Sequence, residues 1–415
     1  LSGGGTLGPV TPLLALVEYW RARERKAEYV WVGTAKGPEA EVVAGSGIRF
    51  IAMQSVKAPR YITAYWVLVP FLFVYSFVQA RRILRDERPD IIVSAGGYVS
   101  VPLVLLGRLR GIPSLIHQQD IIPGLANKIM SWFAKAVSVV FSSSQSAFPR
   151  KKTKVLGNPV RESVIYGNAK LAAERFGLDA DRKTILVLGG GTGSAWLNRT
   201  VEALGDTLTR EWQVLHITGR GGRGSEVMPR KHYAVEALVA DAMGDIYELA
   251  DAVVCRAGLG TLTEIAATGK PAIVIPIPES HQEMNAFFLF EHKAAIVLDQ
   301  NETTPQVLLS AIQSVMRQDD LVLRLSANLR QAFPKDGTKE IADWVWALGE
   351  AAEGKWRREE EGINESWNQG IEEFEGDKTD IPVAKEEEAM ISIQDQIARA
   401  LEEGRKDDGV EEESG

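Results

Sequence analysis

Cysteine is almost absent from this sequence, and histidine is scarce. The 415 residues hold one cysteine, Cys255, and five histidines, none in an HExxH spacing. One thiol excludes an intramolecular disulfide and any multi-cysteine metal site, and the histidine spacing speaks against a zinc enzyme. No metal and no cofactor are therefore expected. The glycine-rich run Gly189–Ser194 matches neither the P-loop signature nor a full dinucleotide fingerprint, and no nucleic-acid partner is expected. The N-terminus has neither an initiator methionine nor a signal peptide and opens on Leu1-Ser2-Gly3-Gly4-Gly5-Thr6. Such a turn normally follows a buried strand, of which only the last residue or two precede it here. A truncated or mis-started chain with an incomplete first strand is expected.

What is present suits a globular protein of two or three domains, with 45% hydrophobic residues. The net charge of -8 hides an asymmetry: residues 351–415 carry 21 acidic and 8 basic side chains, leaving 34 acidic and 39 basic before them. The body is mildly basic, which suits an anionic substrate or an anionic membrane surface. From about Ala352 the chain turns acidic and poor in aliphatics. Residues 350–415 read as a mostly disordered tail, with a short amphipathic helix conceivable over 386–404.

Strands and helices alternate along the body, predicting an α/β fold of two Rossmann-like parallel-sheet domains, 1–157 and 158–349, joined at the basic, proline-bearing stretch 149–159. Glycine-rich strand-to-helix turns occur at Gly3–Gly8, Gly96-Gly97, Gly189–Ser194 and Arg256–Thr261. A helix is expected near Tyr233 to Met243. The last of these turns, with Glu264 just beyond it, lays out an anion site, because backbone N–H groups at a helix N-terminus are unpaired and carry positive potential. Glu264 either accepts from paired ribose hydroxyls or merely complements the helix dipole. Strand 114–117 delivers His117, Gln118, Gln119 and Asp120 to its C-terminal end, where ligands of parallel sheets collect. Residues 61–80 are uncharged and long enough to span a membrane. Pro70, the scattered aromatics and the surrounding alternation favour instead an interfacial helix pair flanked by Arg60, Arg81, Arg82 and Arg85, or a buried apolar helix.

The motifs GGGTLGPVTP, SAGGYVSVP, IPSLIHQQDIIPGLANK, GNPVR, LVLGGGTGSAWLN, HITGR, CRAGLGTLTEIAATGKPAIVIP and HQEMNA occur in an order and spacing that resembles the MurG family, over residues 3 to about 345. The resemblance implies a GT-B fold, two Rossmann-like domains facing across a cleft. It also implies inverting transfer of N-acetylglucosamine from its UDP donor to an undecaprenyl-linked muramyl-peptide in peptidoglycan synthesis, by a peripheral enzyme on the cytoplasmic face of the cell membrane. Glu264 looks like the family's ribose-binding acid, and Arg256, Gly258, Gly260 and Thr261 like its phosphate turn. His281, Gln282 and Asn285 fall in the donor-sugar segment, with His281 replacing a glutamine. Arg161 resembles a donor-site arginine at the hinge. Thr6, Gly8 and Asn127 fall in substrate-binding motifs, and Gly191 stands for the family's serine, with Thr192 the nearest hydroxyl.

The departures lie on the acceptor side. Against a first loop that usually reads GGTGGH, Gly4-Gly5-Thr6-Leu7-Gly8-Pro9 places Pro9 at the histidine, which the resemblance implies assists at the acceptor. Asp120 replaces an asparagine, so Asp120 and His117 are the candidate bases. A GT-B transferase with another acceptor, a nucleotide-sugar epimerase, and a non-catalytic sugar-nucleotide-binding scaffold at the membrane are the alternatives.

Overall fold

The computed structural model describes residues 1–35, 37–54, 69–220, 229–239, 241–333 and 336–360. The expected helix over 386–404, the rest of the acidic tail beyond Glu360 and residues 61–68 of the apolar stretch lie outside the described residues. The first half runs α1 (Val10–Ala22), β1 (Val30–Thr34), α2 (Glu39–Gly45), β2 (Arg49–Met53), α3 (Val69–Glu87), β3 (Ile92–Ser94), α4 (Ser100–Leu109), β4 (Ser114–Gln118), α5 (Leu125–Phe133), β5 (Ala136–Val139) and β6 (Thr153–Val155). The second runs α6 (Glu162–Ile165), α7 (Ala169–Phe176), β7 (Thr184–Leu188), α8 (Ala195–Glu202), α9 (Gly205–Glu211), β8 (Gln213–Ile217), β9 (Tyr233–Glu236), α10 (Met243–Leu249) and β10 (Ala252–Cys255). It continues through α11 (Leu259–Thr268), β11 (Ala272–Val274), α12 (Gln282–Glu291), β12 (Ile296–Val297), α13 (Pro305–Arg317), α14 (Asp319–Ala332) and α15 (Thr338–Glu360).

Each half is built on a parallel sheet with helices on both faces. In the second half the strand order is β12-β11-β10-β7-β8-β9. Strand β7 is buried along its whole length, as a strand covered on both sides must be, and its alternate residues feed two cores. Leu186 and Leu188 point into one cluster with Val253 and Cys255, while Ile185 and Val187 point into the other with Ala252 and Val254. The first half divides in the same way, with Val93 and Leu115 on one face and Ile92 and Ile116 on the other.

Ser2 completes the first sheet. It bridges Val32 on one side and Ser94 on the other, both parallel, and so joins β2-β1 to β3-β4-β5-β6. Its amide donates to Val93 O at 2.8 Å, and Leu1 O accepts from Val32 N at 2.9 Å. The two residues ahead of the first glycine turn thus occupy the strand position expected of them, and that turn leaves the carboxyl edge of the sheet.

Two expectations need correction. Tyr233–Glu236 is not helical: it is β9, paired parallel to β8, with the Tyr233 ring buried beside His216. Alternation over four residues with a β-favouring tyrosine and valine decides this, and the helix begins only at Met243. The last helix also runs past the expected start of the tail, to Glu360. It returns to the first half, where Ile341, Ala342 and Val345 join a core cluster. There the Trp20 indole N–H donates to Ala342 O at 3.2 Å and Arg25 to Asp343 at 2.8 Å.

Leu186 is fully buried at the centre of the second sheet, whereas Leu323 is 67% exposed. Leu186→Ala is expected to destabilise by about 2–5 kcal/mol and Leu323→Ala by less than about 0.5 kcal/mol, read as shifts in urea unfolding midpoints.

Candidate active site

Among the helices that begin at the carboxyl edges of the two sheets with no acidic residue in their first turns are α1 after Pro9, α8 after Ser194 and α11 after Gly258. Gly258 supplies no side-chain cap, so the leading amides of α11 await an acceptor, whereas at the start of α1 the Val10 and Thr11 amides turn back to Leu7 O and Pro12 has no N–H. A Cβ on Gly260 would lie 2.8 Å from Thr11 Oγ1, so the first turns of these two helices face each other across the cleft. The turn before α8 reverses through Gly190 and Gly193, both with positive φ, and Ser194 caps that helix by accepting from Leu197 N. Thr6 and Thr192 are exposed beside these turns, while Gly258 and Thr261 are half-buried. Such an arrangement binds an anion without a dedicated cation.

Arg256, expected at the phosphate turn, has a different task. All five of its N–H donors are committed within the protein: Nε and Nη2 to Ser194 Oγ (3.0 and 2.6 Å), Nη2 also to Gln300 Oε1 (2.6 Å), and Nη1 to Ile275 O and Pro276 O (3.0 Å each). It braces the α8 cap against the end of β11, and burial pulls its pKa down to about 10. Histidine 117 is likewise structural. It is 1% exposed, with Nδ1 at 2.8 Å from Ser138 Oγ and Nε2 at 2.7 Å from Asn158 Oδ1. Because Asn158 Nδ2 donates to Thr263 Oγ1 at 3.0 Å, its Oδ1 must accept, which assigns the ring proton to Nε2. No lone pair remains for a substrate, so the geometry removes His117 from the candidate bases. The chain His117–Asn158–Thr263 instead ties β4 to α11 through the crossing between the halves.

Glu264 lies in the second turn of α11 and is 6% exposed. Its Oε1 accepts from Arg161 Nη2 at 3.2 Å and its Oε2 from Tyr247 Oη at 3.1 Å. Burial and the neighbouring carboxylate raise the Tyr247 pKa well above its ordinary value, so the phenol stays a donor. Glu264 keeps lone pairs for further donors, as a ribose would supply.

Asn285, 1% exposed on α12, donates from Nδ2 to Asp120 Oδ1 and to Ala257 O, both at 3.0 Å. Asp120 is only part-buried, and its Oδ2 has no partner among the described residues. His281 is exposed at the start of α12, and Gln282 Oε1 accepts from Ile277 N at 3.2 Å. Asn127 Nδ2 donates to Gln118 Oε1 at 2.7 Å, and Gln119 Nε2 donates to Gly8 O at 2.9 Å, fastening the first glycine turn to the end of β4.

Sequence reading missed Asn158, Tyr247 and Glu39. Asn158 lies inside the GNPVR motif, a signal that could have found it. Glu39 is fully buried beneath the first turn and accepts from Gly5 N at 3.1 Å and Thr34 N at 2.8 Å. Among the described residues no group of three or more His, Cys, Asp or Glu could hold a metal ion.

Away from the cleft, α3 exposes Phe71, Phe73, Val74, Tyr75 and Val78. A shallow apolar groove lined by Phe73, Val74, Phe77, Val78, Arg81 and Leu106 runs beside it, and Arg81, Arg82 and Arg85 are exposed on the same helix. Among the described residues no helix is long and apolar enough to cross a membrane.

Burial lowers the pKa of His117 and of His216 from 6.5 to about 4. Both rings stay neutral in the folded protein, whereas the unfolded chain takes up their protons below 6.5. Their contribution is therefore present above pH 6.5 and lost as pH falls towards 4, by up to about 1.4 kcal/mol per pH unit for each ring. Unfolding midpoints are expected to drop between pH 6.5 and 4.5, and less steeply in His216→Gln; equal slopes would contradict neutral burial of that ring.

The chain matches the glycosyltransferase family 28 N-terminal domain over residues 1–139 and the family's C-terminal domain over residues 184–341. It is 32% identical over 350 residues to the UDP-N-acetylglucosamine--N-acetylmuramyl-(pentapeptide) pyrophosphoryl-undecaprenol N-acetylglucosamine transferase of Bacillus subtilis, covering 82% of this chain and 96% of the relative. It is 32% identical over 357 residues to the Myxococcus xanthus enzyme of the same name, covering 83% and 91%. Among solved structures, Acinetobacter baumannii MurG aligns at 25% identity with a TM-score of 0.57, covering 83% of this chain and 96% of that one. A UDP-GlcNAc 2-epimerase from Neisseria meningitidis aligns with a TM-score of 0.59 at 11% identity and shares the fold alone. The fold is GT-B, and this chain belongs to glycosyltransferase family 28, within it to the MurG family of N-acetylglucosaminyltransferases.

Proposed function

We propose that the chain transfers N-acetylglucosamine from UDP-N-acetylglucosamine to an undecaprenyl-linked muramyl-peptide, with inversion, at the cytoplasmic face of the membrane. The observation that carries this reading is the meeting of Asp120 with the donor-side Asn285 beside the uncapped first turn of α11. The diphosphate takes the unpaired amides of α11, which stabilise the charge that develops on the departing UDP without a metal. Glu264, oriented by Arg161 and Tyr247, receives the ribose hydroxyls. His281 and Gln282 line the sugar, and Asn285 holds Asp120 beside it.

Attack by the acceptor hydroxyl needs a group to take its proton from the face opposite the leaving UDP. With Pro9 bearing no titratable group and His117 fully engaged, Asp120 takes this role through Oδ2. Arg256 and Asn158 act by holding the turns in place. The exposed aromatic face of α3 with its arginines fits an anionic bilayer surface, where a polyprenyl acceptor resides.

Two substitutions separate the roles. Asp120→Asn keeps the shape of the site and is expected to lower kcat by about 10²–10⁴ with little change in the donor KM. Glu264→Gln is expected to weaken UDP binding by about tenfold or more, since it removes a charged acceptor. Steady-state kinetics and calorimetry read both. An Asp120→Asn variant as active as the parent removes Asp120 from the mechanism, and unchanged donor affinity in Glu264→Gln removes the ribose assignment.

A further inference from the structure

The first glycine turn reaches across the cleft with a side chain that no motif explains. Leu7 is half-buried, packs on the core of the first half, and anchors the start of α1 through its carbonyl, which accepts from Val10 N at 3.0 Å and Thr11 N at 3.4 Å. Its isobutyl group rests on Gly191 in the turn before α8. A Cβ placed on Gly191 would lie 2.5 Å from Leu7 Cδ1, closer still to Cγ, and 3.2 Å from Cβ. Unlike Gly190 and Gly193, Gly191 does not have a positive φ. Its backbone would accept any L-residue, so the demand for glycine at 191 comes from Leu7 and not from the turn.

Further contacts join the same segments. Gly191 O accepts from Arg220 N at 3.3 Å, and the Arg220 side chain pairs with Glu41 on α2, which lies in the same half as Leu7. On the other flank, Gly260 presses on Thr11. Residues 7–11 are thereby seated between the two glycine turns of the second half, over the amides to which an anion would bind.

We infer that Leu7 and Gly191 are a matched steric pair that closes the donor site, Leu7 forming an apolar lid over the diphosphate of a nucleoside-diphosphate ligand and Gly191 being side-chain-free to admit it. The lid excludes water from the phosphate turn and holds the halves at one separation. Any side chain at 191 displaces Leu7 and holds the cleft open, whereas removing the Leu7 side chain makes room for one. The assignment rests on the donor reading above.

Calorimetric titration of UDP into the full chain tests it, with the parent, Leu7→Gly, Gly191→Ser and the double variant compared, and Gly191→Ala as a smaller intrusion if the serine variant does not fold. Gly191→Ser is expected to weaken UDP binding about tenfold when Leu7 is present and by less than about twofold in the Leu7→Gly background, a coupling of the size seen for residues in contact. Equal effects of the serine in both backgrounds overturn the pair. A parent chain that binds no UDP overturns both the pair and the donor reading. Coupled UDP binding without transfer to a lipid-linked muramyl-peptide upholds the pair and overturns only the reaction.

Discussion

Unpaired backbone amides set the terms for this molecule. A parallel sheet sends every strand-to-helix turn to its carboxyl edge, and each turn exposes helix N–H groups that nothing in the helix can satisfy. In most helices a side chain caps them or an acidic residue in the first turn offsets their potential. Here α11 has neither, and its first turn faces that of α1. Two positive helix ends repel, so other interactions must hold the halves where these turns meet.

Those interactions are the buried polar side chains that look like ligands in the sequence. Arg256 spends all five donors on Ser194, Gln300 and the end of β11. The chain His117–Asn158–Thr263 pins the crossing between the halves to α11, and Asn285 ties Asp120 to Ala257. Each is costly to bury and each is almost fully satisfied, which makes the relative position of the turns specific. The division of labour we propose is simple: backbone for the phosphates, Glu264 for the ribose, Asp120 for the proton, and charged or amide side chains behind them as braces.

Much of this was legible in the sequence because it depends on local order. Apolar runs followed by glycine turns announced β7, β10 and the two-sheet plan, and Leu1 and Ser2 sit where the first turn required them. Glu264 and Asp120 stand out as candidates because each follows a strand end. What escaped depends on contacts between distant residues. His117 and Asp120 are three positions apart at the end of one strand, yet one ring is consumed by Ser138 and Asn158 while the other carboxylate keeps an oxygen open. Arg256 meets Ser194 only through the fold. Leu7 and Gly191 each look like a lapse from the family pattern, a leucine at a glycine and a glycine at a serine; once in contact, they are complementary in volume. Tyr233 was misread because four alternating residues at a sheet edge carry too little periodicity to outvote a helical neighbourhood.

The central claim is that this constellation moves N-acetylglucosamine onto a lipid-linked acceptor. The most direct test incubates the full chain with sugar-labelled UDP-N-acetylglucosamine and undecaprenyl-linked muramyl-pentapeptide in anionic vesicles, then follows the label by chromatography and the anomeric configuration by NMR. The account predicts a lipid-linked disaccharide of inverted, β configuration. Label that stays on UDP or appears only as free sugar in the presence of this acceptor would contradict it.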